Sequence, residues 1–478
     1  MGKKKVLNAL AWKFSERILA QMVNLAISIL LARLLSPSDY GQVSIVMIFI
    51  SIADILVNYS LSNALIQKKD ADNLDFSSVF YFNSVFSVLI YMILYFCAPG
   101  ISSFFGYDGL TLVVRVLALR VIIVALNSVQ QAYVSKHMMF RKFFFSTLAG
   151  TILAACTGGY LAFCGFGIWA LAAQYLVNPF VDTVVLWFTV KWRPVAKFSR
   201  YRLMGLFDFG WKLLLSGVMD RVYIELKSII IGKFYSSVDL AYYKNGQQYP
   251  QVIINNINTS ISSVFFPALS NEQENKEKVK NMLRAAVRMG AYVLFPCMIG
   301  LAVVADNLIE IVLTDKWLPC VPYLRVACFT YALYPIHTAN LDAMKAMGRT
   351  DIMLKLEIVK KMIGVILLMA VLRHGVFMIA FIGIIQAVIS IFLNSAPNKK
   401  LMGYGYWEQL KDILPSILRG GIMGLIVWGV GLLQMSAIVE IILQILAGIL
   451  SYCILSALTG AIEFTSLLKI LVPGGKRE

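Results

Sequence analysis

The sequence contains little charge. Of its 478 residues, only 14% are Asp, Glu, Lys or Arg, while 59% are hydrophobic. A soluble globular protein carries about 25% charged residues, because charged side chains cover its surface. The scarcity of charge excludes an ordinary soluble domain of this size and predicts that much of the surface faces lipid.

Metal-binding and nucleotide-binding patterns are also absent from the sequence. There are three histidines, and the seven cysteines stand singly, without the spacing of a zinc site or of a disulfide framework. No glycine-rich phosphate loop and no GxSxG motif occurs, so the sequence contains neither a P-loop ATPase site nor the nucleophile motif of a serine hydrolase. We therefore expect no cofactor and no bound metal, apart from a coupling proton or sodium ion.

Long apolar runs make up much of the remaining sequence. Each is about 20 residues, enough for a helix to cross a hydrocarbon core of about 30 Å, and a helix satisfies its own backbone polar groups where there is no water. The pattern predicts an all-α, polytopic membrane protein. We predict 14 spans, at 8–34, 40–66, 76–97, 111–134, 143–163, 166–190, 207–233, 239–267, 281–304, 320–344, 352–372, 375–396, 412–433 and 437–460.

Basic residues are concentrated in alternate loops. The net charge of +17 does not indicate nucleic-acid binding, because the cations lie in short loops between spans and inside some spans. With the N-terminus in the cytoplasm, the inner loops hold nearly all of the loop cations, as the positive-inside rule requires. An even number of spans then puts both termini in the cytoplasm, and the most basic inner loop is 191–206.

The chain contains two similar groups of six spans. The matching segments occur in the same order: Trp12-Lys13 with Trp211-Lys212, Ser36 and Asp39 with Ser236 and Asp239, and Val114-Arg115-Val116 with Leu324-Arg325-Val326. Because six is even, the copies have the same orientation, which predicts two bundles around an axis along the membrane normal with a cavity between them. We predict a first lobe at 1–190, a basic linker at 191–206, a second lobe at 207–396, and two final helices with a cytoplasmic tail at 397–478.

Charged residues inside the spans are the candidate site. Such charge costs a few kcal/mol per residue by insertion scales, so it usually faces a cavity or a partner. The cationic candidates are Lys13, Arg17, Lys212, Arg221, Lys227 and Arg120; Arg115 and Arg325 are weaker ones. Lys13 and Lys212 lie near span ends, where they could instead extend to the membrane surface.

Amide side chains and carboxylates supply two further sets. The amides Asn24, Asn58, Gln248, Asn255 and Asn258 suit sugar hydroxyls because they both donate and accept hydrogen bonds; the alternative is that they join helices. The candidates for ion coupling are Asp54, Asp182, Asp220 and Glu225, of which Glu225 is expected to pair with Arg221. His337 and Asp342 form a weaker candidate pair.

Four segments resemble a known family. They are LLARLLSPSDYGQVS (30–44), FGWKLLLSGVMDRVY (209–223), IIGKFYSSVDLAYY (230–243) and FFPALS (265–270). These segments resemble the Wzx-type oligosaccharide flippases, and more narrowly the polysaccharide exporters of the colanic-acid and teichuronic-acid type. The superfamily also holds the multidrug-and-toxin exporters and the lipid II flippase. The resemblance covers nearly the whole chain.

The resemblance implies a function and a location. Members have a V-shaped fold of two six-helix lobes in the bacterial inner membrane. They move undecaprenyl-diphosphate-linked oligosaccharides from the cytoplasmic to the periplasmic leaflet for O-antigen or exopolysaccharide synthesis, beside a polymerase and a chain-length regulator, and they are not enzymes. The family's cationic cavity corresponds only approximately to Lys13, Arg17, Lys212 and Arg221. A diphosphate in a low-dielectric site is consistent with these cations.

Three rival functions make different demands. A multidrug antiporter on the same fold favours an acidic lumen, whereas spans 1 and 7 are rich in Lys and Arg. A polymerase or ligase needs a sizeable external loop, and the predicted outer turns are short. A channel or scaffold has no need of duplicated lobes.

Overall fold

The computed structural model describes residues 3–68, 70–433 and 435–471, which contain helices and no strand. The first nine helices are α1 (Lys3–Leu34), α2 (Pro37–Gln67), α3 (Asn73–Phe105), α4 (Leu110–Lys136), α5 (Phe140–Phe163), α6 (Ile168–Thr189), α7 (Arg200–Phe234), α8 (Ser237–Asn271) and α9 (Lys276–Val303). The others are α10 (Ala305–Leu313), a 3-10 helix (Asp315–Cys320), α11 (Val321–Ala332), α12 (Tyr334–Ala346), α13 (Thr350–Val371), α14 (Val376–Met402), α15 (Tyr406–Gly431), α16 (Ala437–Leu458) and α17 (Ile462–Leu471).

Thirteen of the 14 predicted spans coincide with one helix each and the other with two consecutive helices, and the all-α prediction is confirmed. Among the described residues, ten helices are long and apolar enough to cross a membrane. The other four spans correspond to α1, α7, α13 and the consecutive pair α11 and α12. Three of these, α1, α7 and α13, carry several charged residues. The fourth is divided at Leu333, just before Pro335, because proline cannot donate the backbone bond that continues a helix.

The surface of the helices explains why the chain is so apolar. Many large hydrophobic side chains are exposed, including Val85, Phe96, Phe188, Met362 and Leu458. A water-soluble protein does not expose apolar area on this scale. Because a bilayer is itself apolar, these side chains are in their preferred solvent there, and the chain is a multi-pass membrane protein.

The repeated serine–aspartate motif forms the same helix cap in both copies. Ser36 Oγ donates to Asp39 Oδ2 at 2.6 Å and accepts from the Asp39 backbone N–H at 3.2 Å, at the start of α2. Ser236 and Asp239 repeat the arrangement at the start of α8, at 2.6 and 3.0 Å. A serine cap with an acidic residue three positions later satisfies backbone donors that the helix leaves open.

The repeated arginine motif also makes equivalent contacts in the two copies. Arg115 Nε donates to the Tyr95 carbonyl on α3 at 3.3 Å, and Arg325 Nε donates to the Ala302 carbonyl on α9 at 3.1 Å. Arg325 additionally pairs with Asp306. These two arginines therefore join neighbouring helices within their own copies.

Contacts divide the chain into two compact units, 1–241 and 242–478. The boundary lies inside α8, and α7 belongs to the first unit because it packs along α2 and α3. The boundaries predicted from the repeat, with a second lobe that starts at 207, concern the sequence duplication and stay a prediction.

The segment between α6 and α7 is held against the start of α3. The backbone N–H groups of Val195 and Ser199 donate to the hydroxyls of Ser77 and Ser78, at 2.9 and 3.0 Å. Arg202 lies 2.5 Å from Asp72, the residue that caps α3. The last part of the predicted basic linker is thus the first turn of α7, which begins seven residues earlier than expected.

Candidate functional site

An arginine and an aspartate meet in the middle of the first unit. Arg120 on α4 donates from Nε to Asp54 Oδ2 on α2 at 3.2 Å, and both side chains are about one-fifth exposed. The two residues are 66 positions apart in the chain, so the contact is made by helix packing. A charged pair at this depth is expected to face a cavity or a partner.

A proline in α6 supplies the third group at this point. Pro179 has no N–H, so the carbonyl four residues earlier, that of Tyr175, loses its partner within the helix. Arg120 Nη1 donates to this Tyr175 carbonyl at 2.8 Å. Arg120 therefore joins α2, α4 and α6, and Pro179 explains why a backbone oxygen is available to it.

A second arginine lies one turn of α2 away. Arg221 on α7 donates from Nε to Ser51 Oγ at 2.8 Å and from Nη2 to Glu225 Oε1 at 2.8 Å. Arg221 is 34% exposed, whereas Glu225 is only 4% exposed. The expected Arg221–Glu225 pair is confirmed.

Unsatisfied acceptors continue along the same face of α2. Asp54 Oδ1, Asn58 Oδ1 and Ser62 Oγ are buried and have no hydrogen-bond partner among the described residues. Their spacing of four residues puts them on one helix face. A buried polar group without a partner is costly, so this stripe is suited to groups that donate hydrogen bonds, as sugar hydroxyls do.

In this cluster, two arginines that can bind an anion are each paired with a carboxylate of the protein. Arg120 and Arg221 carry two positive charges, which Asp54 and Glu225 balance. A guanidinium group binds the oxygens of a phosphate as readily as it binds those of a carboxylate, because the same planar set of donors serves for both. The arrangement can therefore exchange an internal carboxylate for a phosphate, without a free cation in the empty state.

Asp182 lies apart from this cluster, between α4 and α6. Its Oδ2 accepts from Asn127 Nδ2 at 2.6 Å and from Gln131 Nε2 at 3.1 Å. Its Oδ1 is buried without a partner among the described residues. Both of these hydrogen bonds are made by side chains of α4.

The remaining candidates of the first unit are Lys13, Arg17, Asn24, Lys212, Asp220 and Lys227. The side chains of Lys13, Arg17 and Lys212 lie outside the described residues. Asn24 and Asp220 are exposed, and Lys227 is half-buried, with no ion pair to a described residue. Their expected roles stay predictions.

The candidates of the second unit make local contacts. Asn255 is exposed, while Gln248 and Asn258 are half-buried. Asp342 accepts from Ser262 Oγ on α8 at 2.6 Å and lies 3.5 Å from Lys345. His337 Nδ1 lies 2.5 Å from Asn394 Nδ2 on α14. These contacts hold helices together within the unit.

Three groups that complete the clusters were not among the candidates from sequence. The Tyr175 carbonyl could have been inferred from Pro179, because a proline inside a helix always frees the oxygen four residues earlier. Asn127 and Gln131 are spaced four apart in α4, in a polar stretch that also contains Ser128 and Gln130, and this spacing puts the two amides on one helix face. Their partner on α6, Asp182, is among the candidates from sequence.

Comparison with known protein families decides the assignment. Residues 30–322, more than half of the chain, match the family described as polysaccharide biosynthesis protein. The chain belongs to this family. The match includes the α1–α2 junction, the whole Arg120–Arg221 cluster and the repeated cap of α8.

Relatives of this polysaccharide biosynthesis protein match most of its length. It is 24% identical over 462 residues to the teichuronic acid biosynthesis protein TuaB of Bacillus subtilis (strain 168), which covers 95% of each chain. It is 21% identical over 426 residues to the lipopolysaccharide biosynthesis protein WzxC of Escherichia coli (strain K12), which covers 88% of this chain and 84% of WzxC.

Solved structures show the fold of this family member. The lipid II flippase MurJ, in an inward closed conformation, superposes with a TM-score of 0.79 over 95% of this chain and 98% of MurJ, at 16% identity. An inward-facing multidrug-resistance MATE transporter superposes with a TM-score of 0.63 over 80% of this chain and 95% of its own, at 17% identity. The fold is therefore the one that these transporters share.

Proposed function

We propose that the protein is a flippase for lipid-linked oligosaccharides. Its substrate is an undecaprenyl-diphosphate-linked repeat unit, which it moves from the cytoplasmic to the periplasmic leaflet for the synthesis of a surface polysaccharide. The observation that carries the proposal is the end-to-end match to a teichuronic acid biosynthesis protein, at 95% of both chains. It is a transporter and not an enzyme.

The arginine cluster suits the diphosphate of such a substrate. In the empty state, Asp54 and Glu225 hold Arg120 and Arg221. A diphosphate that reaches the cluster presents more oxygens and more negative charge than either carboxylate, so it competes for both guanidinium groups. The low dielectric around mid-helix positions strengthens that attraction.

Sugar hydroxyls suit the stripe next to the arginines. The unsatisfied oxygens of Asp54, Asn58 and Ser62 lie on consecutive turns of α2. Each accepts a hydrogen bond, and each sugar hydroxyl can donate one. The other amide candidates, Asn24, Gln248, Asn255 and Asn258, would extend this polar lining. The polyprenyl chain needs no polar partner and can stay in lipid.

Transport on this fold would proceed by alternating access. Two bundles that rock against each other open a central cavity first to one side and then to the other. A proton or sodium gradient supplies the energy, with Asp54, Asp182, Asp220 and Glu225 as candidates for the coupling residue. Lys13, Arg17, Lys212 and Lys227 would add positive charge to the cavity.

The location and the partners follow from the substrate. We place the protein in the bacterial inner membrane with both termini in the cytoplasm, where the loops are basic. The flipped repeat unit is then polymerised on the other side, so a polysaccharide polymerase and a chain-length regulator are the expected neighbours.

Gene deletion in the host tests the proposal. The measurements are the amount of surface polysaccharide and the sidedness of the undecaprenyl-diphosphate-linked oligosaccharide in spheroplasts. We expect the lipid-linked unit to accumulate on the cytoplasmic face while surface polymer disappears, and a plasmid copy of the gene to restore both.

A multidrug antiporter on the same fold gives the opposite result. Normal polymer, together with increased sensitivity to cationic drugs, would refute the flippase and favour the antiporter. Normal polymer and normal drug sensitivity would refute both functions.

A further inference from the structure

The described part of the chain contains few buried carboxylates, and one of them differs from the others in having no cationic partner among the described residues. The five are Asp75, Asp182, Glu225, Asp342 and Glu463. Four of them pair with a cation: Asp75 with Lys68, Glu225 with Arg221, Asp342 with Lys345 and Glu463 with Arg288. Asp182, which is 8% exposed, has no ion pair with a described residue.

A buried carboxylate without a counter-charge is an expensive feature. Transfer of an ionised carboxylate into a low-dielectric interior is unfavourable, and the two amide donors on Oδ2 offset only part of that cost. A side-chain cation balances the charge of each of the other four carboxylates. For Asp182, the balancing positive charge must come from another source.

The surroundings of Asp182 are those of a small-cation site. Asp182 Oδ1 and Asn127 Oδ1 are both buried acceptors without a partner among the described residues, and Asn127 Nδ2 bonds to the other Asp182 oxygen at 2.6 Å. Carboxylate and amide oxygens are hard ligands that favour hard cations. Gln131, which bonds to Asp182 at 3.1 Å, is exposed and forms the open side of the site.

Among the described residues, no cation forms an ion pair with Asp182. The helices packed on α6 include α5, α4 and α2, and their charged groups include Lys142, Arg120 and Asp54. Lys142 Nζ donates to the Thr189 carbonyl at 2.6 Å, and Arg120 bonds to Asp54 and to Tyr175. None of the three is hydrogen bonded to Asp182 in the described structure.

We propose that Asp182 and Asn127 form a binding site for one small monovalent cation, a sodium ion or a proton, inside the first unit. A sodium ion would be bound by the two unpartnered oxygens. A proton on Asp182 Oδ1 would make that atom a donor beside an amide oxygen that lacks one. Either cation neutralises the carboxylate and satisfies both atoms.

The site is positioned to act on the arginine cluster. Asp182 and Tyr175 lie on the two sides of Pro179 in α6, and their partners on α4 are Asn127 and Arg120. A change in how α4 and α6 meet at Asp182 therefore reaches the Arg120–Tyr175 contact through a segment that proline has already weakened. This coupling rests on the proposed function, whereas cation binding does not.

Thermal unfolding of the purified full-length protein tests the sodium form. Unfolding is followed in sodium chloride and in choline chloride at equal ionic strength and without substrate. A cation that binds only the folded state raises the melting midpoint in a saturable manner. We expect Asp182→Asn to abolish the sodium effect and Asn127→Ala to raise the half-saturating concentration about tenfold or more. Asp342→Asn, the matched control at a paired carboxylate, should keep the sodium effect of the wild type.

Infrared difference spectroscopy tests the proton form. In sodium-free buffer, the spectrum of wild type minus Asp182→Asn should contain the carbonyl band of a protonated carboxylic acid. The sodium effect without that band assigns a sodium ion, and the band without the sodium effect assigns a proton.

A wild-type protein with neither signal would overturn the proposal. Because the wild type supplies the main result, a variant that fails to fold does not block the test. Because no substrate is present, the outcome is independent of whether the protein flips lipid-linked oligosaccharides.

Discussion

The two compact units use arginine–carboxylate pairs in different ways. In the first unit, Arg120 and Arg221 lie at mid-helix positions around α2, next to acceptors that have no partner among the described residues. In the second unit, three cations spaced four apart on α9 meet one carboxylate each: Lys280 with Glu408, Arg284 with Asp412 and Arg288 with Glu463.

The comparison distinguishes charged residues that hold helices together from charged residues that are available to a ligand. The stripe on α9 joins that helix to α15 and α17, and Arg284 contacts Asp412 through two nitrogens at 2.7 Å each. In this set every cation has a carboxylate partner, which holds the helices together, and Glu463 Oε2 is the one carboxylate oxygen of the set that is buried without a partner among the described residues. The cluster on α2 is incomplete, because its stripe of acceptors needs donors that the described chain does not supply. Incomplete polar networks inside a membrane indicate a ligand.

Reversal of charge at Arg221 should have the largest effect on transport. Arg221→Glu puts a second carboxylate beside Glu225, removes the bond to Ser51 and repels a diphosphate. We expect surface polymer to be lost while the amount of protein in the membrane is unchanged. The measurement is surface polysaccharide in the deletion strain complemented with the variant, alongside immunoblots of membranes.

The matched control is Arg284→Glu in the second unit. It should reduce the amount of folded protein and leave the transport rate per folded molecule near the wild-type value. Full transport by Arg221→Glu, or a loss per molecule that is equal in the two variants, would erase the distinction between the units. Arg17→Glu is expected to behave like Arg221→Glu if its side chain lines the same cavity.

Removal of the other arginine should have a smaller effect on transport. Arg120→Ala leaves Asp54 and the Tyr175 carbonyl without their shared donor. We expect the rate of flipping in proteoliposomes to fall about tenfold, equivalent to about 1.4 kcal/mol. Arg120→Lys should restore part of the rate, because lysine keeps the charge but loses the planar set of donors. A rate that is equal in all three proteins would exclude Arg120 from the site.

Loss of a pair on α9 should affect stability alone. Arg288→Met leaves the buried Glu463 without its guanidinium, at a cost of about 2 kcal/mol. The melting midpoint of the purified variant should fall, whereas transport per folded molecule should not. The double variant Arg288→Met with Glu463→Gln should recover part of the midpoint, because no unpaired charge is then buried. A transport defect in the double variant would give this pair a functional role.

The smallest expected effect is a dependence of stability on pH, which arises from a carboxyl group outside the membrane-spanning segments. The backbone N–H of Asp75 and the guanidinium of Arg202 lower the pKa of Asp72, the cap of α3. A lowered pKa means that the folded state favours the ionised carboxylate. The contribution of Asp72 to stability is therefore present above about pH 4 and is lost as pH falls through the lower folded value.

Comparison of wild type with Asp72→Asn isolates this contribution. The variant should melt slightly below the wild type at pH 7, and the difference should shrink as the pH is lowered toward 3. A difference that is constant with pH would mean that hydrogen bonding by the side chain, and not its charge, is what stabilises the cap.

Local patterns in the sequence predicted the helices and some of their contacts. Apolar runs gave the position of every span, since a helix in lipid needs only length and hydrophobicity. The repeated cap at Ser36 and Ser236 could be predicted because its partners lie three residues apart. The Arg221–Glu225 pair was predicted for the same reason, because residues four apart share a helix face.

Only the tertiary structure decided which distant polar residues meet. Arg120 and Arg115 lie five residues apart in one span and have the same chemistry. Packing sends Arg120 to Asp54 and Tyr175, and Arg115 to a carbonyl of α3. Packing likewise brings Asn127 to Asp182, and no cation of the described residues forms an ion pair with Asp182. The spacing within a helix fixes which residues share a face, whereas the rotation and register of one helix against another depend on the side chains of both.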